Sequence, residues 1–267
     1  MHSAPPADQL TRHLPRILCL HGGGTNARIF RAQCRGVVAQ LKPEYRFVFA
    51  QAPFESQAGP EVMRAYGEWA PFRRWLRWRP DQPHAQPNFI IEQIEGALMD
   101  AMAADTRTGA TGDWIGILGF SQGAKVAASI LYKQQLRQQL RDPDALFNFQ
   151  FGILVAGRAP IVSLDPDSWP DPTLPDASQI TDSPRRDSDK RSFYGNGHIL
   201  SIPTLHVHGL HDEGLELHRS LFDHFCDSRS RRLVEWEGAH QLPLKHKDVQ
   251  VVTEQIRSLA ASPTLSA

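Results

Sequence analysis

Residues 114–123 read WIGILGFSQG, an apolar run that ends in a serine between two glycines. The run predicts a buried strand, because it is rich in β-branched and aromatic residues and ends at a turn signal. The glycines around Ser121 predict a sharp turn into a helix that begins at Gln122 and reaches about residue 140. A strand, a tight turn and a helix in this order are typical of a parallel sheet in an α/β protein.

Further apolar runs on both sides of this stretch predict the rest of the sheet. The runs occupy residues 16–21, 45–50, 149–156, 204–209 and 232–236. Helical periodicity covers residues 27–41, 88–104, 216–226 and 249–260. We therefore expect an α/β fold with a mostly parallel sheet of six or slightly more strands and helices on both faces.

The length of 267 residues, 41% of them hydrophobic, suits one domain with a sizeable core. We expect this domain over residues 16–262, after a loose tail over residues 1–15. Two inserted segments interrupt the periodicity. Residues 55–87, which collect prolines and tryptophans, predict a lid or active-site loop, and residues 163–196, which are dense in Asp, Pro and Ser, predict a mobile loop.

Composition argues against several classes of partner and cofactor. The 29 basic and 29 acidic side chains cancel, so the overall charge gives no sign of a nucleic-acid or membrane partner. No stretch approaches the roughly 20 apolar residues that cross a bilayer. Three widely spaced cysteines fit reduced thiols in a cytoplasmic protein better than a disulfide framework. Neither GxGxxG nor GxxxxGK[ST] follows the first strand, and we expect no cofactor and no metal.

The G-x-S-x-G around Ser121 predicts a nucleophile at a strand-to-helix turn. A serine hydroxyl needs a base to take its proton and a carboxylate to hold that base in one tautomer. At such a turn the expected chain order is serine, acid, histidine. His240 follows the last predicted strand and Asp212 follows the strand before it, so we assign them as base and acid. Glu213 and, more remotely, Asp165 stay open as alternative acids.

Two backbone N–H groups are expected to stabilise the oxyanion that forms when a serine attacks a carbonyl carbon. The residue after the nucleophile supplies one, which assigns Gln122. The glycine loop after the first strand supplies the other, and Gly23 in HGGG at residues 21–24 is our choice. Glycines suit this position because they let the backbone approach the substrate.

Residues 68–79 (EWAPFRRWLRWR) are rich in tryptophan and arginine and predict part of a lid. We expect Trp69 and Trp75, together with Phe120, to shelter an acyl group. The arginines of this segment are then free to meet an acidic carrier protein. Stacking of single-stranded nucleic acid on the tryptophans is the weaker interpretation, because the chain as a whole is neutral.

Four motifs together resemble a known family. They are LHGGGTN at residues 20–26, GFSQG at 119–123, PTLHVHGLHDE at 203–213 and EGAHQLP at 237–243. In order and spacing they resemble the FSH-type serine hydrolases, over about residues 16–259. The resemblance implies an α/β-hydrolase fold and a triad of Ser121, Asp212 and His240. Some fungal members are thioesterases that serve polyketide synthases, which implies a carboxylic ester or acyl thioester as substrate and an acyl carrier protein as partner in polyketide biosynthesis.

Two other classes of function stay open from the residues alone. His206, His208 and His211 look superficially like a metal-ligand run, because residues two apart on a strand point to the same side. A metal-dependent hydrolase is therefore one alternative, although an acid is missing where Leu210 stands. The other alternative is a non-catalytic acyl-binding module, since hydrolase folds can serve as binding proteins.

Overall fold

A computed structural model describes residues 9–143, 145–181 and 197–261. The strands in these ranges are β1 (Arg16–Leu20), β2 (Arg46–Ala50), β3 (Phe54–Ser56), β4 (Phe72–Arg74), β5 (Trp114–Phe120), β6 (Phe151–Val155), β7 (Thr204–Gly209) and β8 (Arg231–Trp236). The helices are α1 (Ala27–Gln33), α2 (Arg35–Leu41), α3 (Pro60–Tyr66), α4 (Pro87–Arg107), α5 (Gln122–Gln139), α6 (Leu215–Phe225) and α7 (His246–Ala260). None of these helices combines the length and the apolar character needed to span a bilayer.

The central sheet has six strands in the order β2-β1-β5-β6-β7-β8, and every neighbouring pair is parallel. This confirms the predicted sheet, and the predicted strands differ from the observed ones by no more than two residues at either end. Because all strands run the same way, the loops that follow β5, β7 and β8 meet at one edge of the sheet. This is the edge where parallel α/β sheets usually bind ligands.

Helices cover both faces of the sheet, as predicted from the apolar runs. On β1, Ile17 and Cys19 point to the face covered by α1, α2 and α7, whereas Leu18 and Leu20 point to the face covered by α4, α5 and α6. All four side chains are fully buried. A strand covered on both faces needs no polar alternation, which is why the runs are continuously apolar.

The predicted loose tail over residues 1–15 is wrong for its second half. Residues 9–11 form a short 3-10 helix in which Thr11 is buried. The carbonyl oxygen of Arg12 accepts hydrogen bonds from the N–H groups of Thr111 and Gly112 just before β5, at 2.8 and 3.2 Å. Residues 1–8 lie outside the described residues.

The predicted lid over residues 55–87 contains regular structure that the sequence did not reveal. β3 and β4 pair antiparallel, and α3 lies between them. The N–H of Arg73 on β4 donates to the carbonyl oxygen of Thr25 at 2.6 Å, which fixes the small sheet to the loop after β1. Periodicity could not predict strands of three residues, because their pairing depends on contacts with distant parts of the chain.

The segment predicted to be mobile, residues 163–196, packs against α5 as far as it is described. Leu164, Leu174 and Ala177 belong to the buried core. The N–H of Ser163 donates to the carbonyl oxygen of Pro175 at 2.8 Å, which folds this part back on itself. Residues 182–196 of the predicted loop lie outside the described residues.

Candidate active site

Ser121 stands at the turn between β5 and α5 with a strained backbone. Its φ of 54° and ψ of −116° lie in a region that residues with a side chain rarely adopt. The N–H of Ser121 donates to the carbonyl oxygen of Val155 on the neighbouring strand β6 at 2.8 Å, which holds the turn in place. Such strain persists only where the surroundings impose it, and it is commonly found at functional sites.

The two glycines of the motif allow the close packing that this turn requires. A Cβ atom built on Gly123 would overlap the carbonyl oxygen of Leu20 at the end of β1. A Cβ atom built on Gly119 would overlap the backbone of Gly123 itself. Both positions therefore need glycine because backbone atoms occupy the space of a side chain.

The loops after β7 and β8 bring Asp212 and His240 to Ser121. Nε2 of His240 lies 2.9 Å from Oγ of Ser121, and Nδ1 of His240 lies 2.6 Å from Oδ2 of Asp212. Backbone hydrogen bonds join the two loops, since the N–H of His211 donates to the carbonyl oxygen of Gly238 at 2.9 Å. The three side chains thus form one continuous hydrogen-bonded chain.

The surroundings of Asp212 keep its carboxylate ionised. Burial by itself raises the pKa of this carboxyl group, and its side chain has no exposed surface. The hydrogen bond and the charge of His240, with the N–H of Gly214 that donates to Oδ1 at 2.8 Å, outweigh burial and lower the pKa to about 2. A carboxylate held in this way can orient His240 and stabilise its imidazolium form.

The expected oxyanion donors lie side by side. Gln122 is the first residue of α5, where N–H groups have no acceptor within the helix. A Cβ atom built on Gly23 would lie 3.2 Å from the side chain of Gln122, so the loop after β1 runs directly against the start of α5. The neighbours of Gly23 are engaged elsewhere: the carbonyl oxygen of Gly22 accepts from Thr25 Oγ1 at 2.7 Å and the N–H of Gly24 donates to the carbonyl oxygen of Arg73 at 2.9 Å.

Hydrogen bonds of the His21 ring hold this glycine loop in place. Its ring accepts a hydrogen bond at Nε2 from the N–H of Ala52 at 3.1 Å, so Nδ1 carries the proton and donates to the carbonyl oxygen of Gly22 at 2.8 Å. Burial lowers the pKa of His21 to about 4, which keeps the ring neutral at neutral pH. Sequence reasoning assigned no role to this side chain, although its place at the head of the glycine run was a usable signal.

Trp75 lies behind the glycine loop and does not form a wall of the substrate site. Its side chain is fully buried, and its Nε1–H donates to the carbonyl oxygen of His21 at 2.8 Å. The amide of Gln122 holds the same segment, because its Oε1 accepts from the N–H of Trp75 at 2.8 Å and its Nε2 donates to the carbonyl oxygen of Leu76 at 3.0 Å. The predicted contact of Trp75 with an acyl group is therefore wrong; a buried indole needs a partner for its N–H and finds one here.

A cavity of about 310 Å³ opens beside Ser121 and His240. This volume is at the lower end of the range for ligand pockets. Phe120, which we expect to shelter an acyl group, lines the cavity, whereas Trp69 packs on the ring of Tyr66 and under the guanidinium of Arg28. The apolar walls come from Phe120 and from residues that the sequence did not single out: Val62, Ala65 and Tyr66 of α3, and Leu242 and Leu244 after β8.

The alternative acids do not reach His240. Glu213 is exposed beside Asp212. Asp165 pairs with Arg137 near the end of α5, where its Oδ2 lies 2.7 Å from the Nε atom. Sixteen residues of helix separate Arg137 from Ser121, which is about 24 Å at the rise of an α-helix.

The histidines suggested as a metal-ligand run do not converge either. His206 and His208 are buried on β7 with their rings 5.9 Å apart. The side chain of His211 is 68% exposed and its Nε2 lies 2.8 Å from a carboxylate oxygen of Glu237. Within residues 9–143, 145–181 and 197–261, the one group of three His, Cys, Asp or Glu side chains close enough for a shared ion lies elsewhere.

Sequence reasoning missed His218 on α6. The side chain is fully buried behind the candidate triad, with its ring centre 6.1 Å from that of His240 and 5.6 Å from that of His208. Burial lowers the pKa of His218 to about 3, against the opposing influence of the Asp212 charge. The signal was available, because His218, Leu221 and Phe225 follow the spacing of a helix face that points inward.

Four buried histidines predict a fold that loses stability in mild acid. Burial lowers the pKa of His21 and of His208 to about 4 and that of His218 to about 3, and it holds the pKa of His206 well below its usual value. In the unfolded chain a histidine has a pKa of about 6.5. Between pH 6.5 and 4 the unfolded state therefore binds more protons than the folded state, and the free energy of unfolding decreases as the pH is lowered. Each group contributes up to about 1.4 kcal/mol per pH unit, and we expect a loss of about 4 to 5 kcal/mol from pH 6 to pH 5.

Urea unfolding at pH 7, 6 and 5, followed by tryptophan fluorescence, measures this dependence. His218→Leu should reduce the slope by about one proton, whereas His211→Leu, which changes an exposed ring, should leave the slope unchanged. A free energy of unfolding that stays level from pH 7 to pH 5 would show that the four rings are not held neutral in the folded state.

Proteins of known class are similar to this chain over most of its length. The model of the protein family described as "Serine hydrolase (FSH1)" matches residues 11–252. "Esterase claE" of Penicillium crustosum is 60% identical over 261 residues, which cover 97% of this chain and 98% of that protein. "Esterase citA" of Monascus ruber is 56% identical over 252 residues, which cover 94% of each chain.

Solved structures support the fold at much lower identity. A single-residue variant of SOBER1 from Arabidopsis thaliana aligns with a TM-score of 0.50 at 15% identity and covers 92% of this chain and 98% of that one. The carboxylesterase of Bacillus cereus also aligns with a TM-score of 0.50, at 14% identity over 92% of this chain and 89% of its own. The predicted α/β-hydrolase fold is thereby confirmed. The chain belongs to the FSH1 family of serine hydrolases and is an esterase.

Proposed function

We propose that the chain hydrolyses a carboxylic ester or acyl thioester through an acyl-enzyme on Ser121, and that its substrate is a polyketide-type acyl chain carried by an acyl carrier protein. The observation that carries the chemistry is the continuous chain of hydrogen bonds from Ser121 Oγ through His240 to Asp212, at 2.9 and 2.6 Å. The esterase names of the two fungal relatives accord with this chemistry, and the carrier-bound substrate goes beyond them.

Each residue of the candidate triad has one part in the reaction that we propose. His240 Nε2 accepts the hydroxyl proton of Ser121 while Oγ attacks the carbonyl carbon. The N–H groups of Gln122 and Gly23 stabilise the oxyanion. His240 then returns the proton to the leaving alcohol or thiol. In the second half His240 takes a proton from water while the water oxygen attacks the acyl carbon, and it gives this proton to Oγ of Ser121 as the bond to the acyl group breaks and the acid leaves. Asp212 keeps the Nδ1 proton of His240 in place throughout.

The charge around the cavity supports a carrier protein as the source of the acyl group. Of the arginines first proposed for this role, Arg74 is buried over the ring of Phe54 and Arg77 donates to carbonyl oxygens of its own loop. Three exposed arginines lie at or near the cavity instead, and the acidic Glu61 also lines it. Arg35 lines it, Arg64 lies on the lining helix α3, and Arg28 stacks on Trp69 next to that helix. Such a basic rim complements an acidic carrier domain.

We therefore expect that removing this basic rim impairs only the carrier-bound substrate. The triple variant Arg28→Gln, Arg35→Gln, Arg64→Gln should lower kcat/KM for an acyl carrier thioester by about tenfold, because each exposed charge pair contributes up to about 1 kcal/mol. Hydrolysis of the same acyl group on a small thiol should change little. Added salt should reduce the wild-type rate in the same selective manner, since exposed charges are screened.

A matched control removes three charges from the opposite end of the sheet. Arg107 at the end of α4, and Arg229 and Arg232 at the start of β8, all lie near the amino ends of the strands. Their replacement by glutamine should leave both substrates unaffected. Equal losses in the two triple variants, or no loss in either, would count against a carrier protein docked at the cavity while leaving the esterase chemistry intact.

A further inference from the structure

Asp212 lies between two histidines, of which the candidate triad uses one. Its Oδ2 is 2.6 Å from Nδ1 of His240 and 3.8 Å from Nε2 of His218. Asp212, His218 and His240 each offer a ligand atom, and these atoms all lie within 4.8 Å of one another. A carboxylate and two imidazoles thus converge on one point behind the serine.

His218 has no partner that explains its position. Both ring nitrogens are buried, and neither forms a hydrogen bond among the described residues. Buried polar atoms nearly always have a partner, because an unpaired donor or acceptor costs free energy. The contact at 3.8 Å with Asp212 is too long for a hydrogen bond. The carboxylate of Asp212 is therefore close to His218 without being its hydrogen-bond partner. A group that binds to both side chains would give the His218 ring a partner.

The three groups suit a divalent transition-metal ion in chemistry and in geometry. Two imidazoles and a carboxylate are a donor set that zinc accepts, with a fourth position left for water. Zinc–ligand distances of about 2.0–2.1 Å place tetrahedral ligand atoms about 3.3 Å apart. The observed separations of 2.6 and 3.8 Å from Oδ2 of Asp212 differ from this by less than 1 Å, and the ligand atoms of the two histidines lie within 4.8 Å of each other, so they must approach when an ion binds.

We propose that Asp212, His218 and His240 form a binding site for Zn²⁺ or a similar divalent transition-metal ion, and that the bound ion inhibits the enzyme. Coordination at Nδ1 of His240 leaves the ring proton on Nε2, the atom that faces Ser121. Nε2 then donates a hydrogen bond and can no longer accept the serine proton. The side chain of His240 is 35% exposed, so its ring is in contact with solvent while Asp212 is not. The sequence did not reveal this site, because His218 belongs to no ligand motif.

Zinc binding and zinc inhibition are measured separately on the full chain at pH 7. Competition with a chromophoric zinc indicator should give one bound Zn²⁺ per wild-type chain, and zinc chloride should inhibit hydrolysis of a short activated ester at the same concentrations. His218→Leu and, as a second variant, His218→Asn should weaken both effects at least about tenfold, because one ligand is lost. Magnesium chloride should have no effect, since imidazole favours transition-metal ions.

The matched control is His211→Leu, which removes an exposed histidine that pairs with Glu237. This variant should bind zinc and be inhibited as the wild type is. Equal zinc sensitivity in the wild type and in both His218 variants would overturn the proposed site, as would a wild type that binds no zinc. The inhibition rests on the proposed role of His240, whereas the binding does not. Zinc that binds through His218 without slowing hydrolysis would support the site and contradict that role of His240.

Discussion

Replacing Ser121 with alanine is expected to lower kcat by about 10⁴- to 10⁶-fold, because the hydroxyl that forms the acyl-enzyme is lost. His240→Ala should cause a loss of similar size, since without its base the hydroxyl is a weak nucleophile. The double variant should be hardly worse than either single variant, because the residues act as a unit. Initial rates with an activated ester and with an acyl thioester measure all three losses.

His246→Ala provides the control for these variants. His246 is an exposed histidine at the start of α7, and its replacement should leave kcat near the wild-type value. Urea unfolding should show that Ser121→Ala and His240→Ala remain folded. If the losses in the double variant multiplied, Ser121 and His240 would act independently, and the hydrogen bond of 2.9 Å between them would not describe the working enzyme.

Asp212→Asn is expected to lower kcat by about 10⁴-fold while the fold is kept. An amide at this position can donate a hydrogen bond to Nδ1 of His240, which places the ring proton on Nε2 and blocks proton transfer from Ser121. Kinetics with one ester at saturating concentration should show the loss in kcat rather than in KM. The adjacent residue serves as the matched control, because Glu213 is exposed and makes no contact with His240 in the described structure.

Glu213→Gln should therefore retain nearly full activity. The opposite pattern, with Glu213→Gln impaired and Asp212→Asn active, would move the acid by one residue. Full activity in both variants would leave His240 without an orienting carboxylate and would contradict the geometry at 2.6 Å. Each result is read from kcat at a pH where the wild type is fully active.

The sheet could be predicted closely because its strands are buried on both faces. Ile17, Leu18, Ile117 and Leu154 are fully covered by helices, so their strands appear in the sequence as continuous apolar runs. Local geometry also placed Ser121, since close backbone packing around the turn demands glycine at positions 119 and 123. Chain order within the fold then pointed to Asp212 and His240, which the structure brings within hydrogen-bonding distance of their neighbours.

The parts that could not be predicted depend on contacts between residues distant in the chain. Trp75 contributes an N–H to the carbonyl oxygen of His21, and nothing in residues 68–79 indicates that this indole faces inward. The cavity walls on α3 depend on how β3 and β4 pair. His218 lies next to Asp212 only because the chain turns into α6 at residue 214. In each case the local pattern was compatible with several environments, and tertiary packing selected one.

Intact mass spectrometry after rapid mixing with acyl thioesters of graded length tests the central claim most directly. The claim is that hydrolysis proceeds through an acyl-enzyme on Ser121. We expect one acyl group per chain on the wild type, located on the peptide that contains Ser121, and no adduct on Ser121→Ala. An adduct that persists in Ser121→Ala would contradict this claim. So would a wild type that hydrolyses the substrate with no covalent adduct at early times, together with full activity of Ser121→Ala.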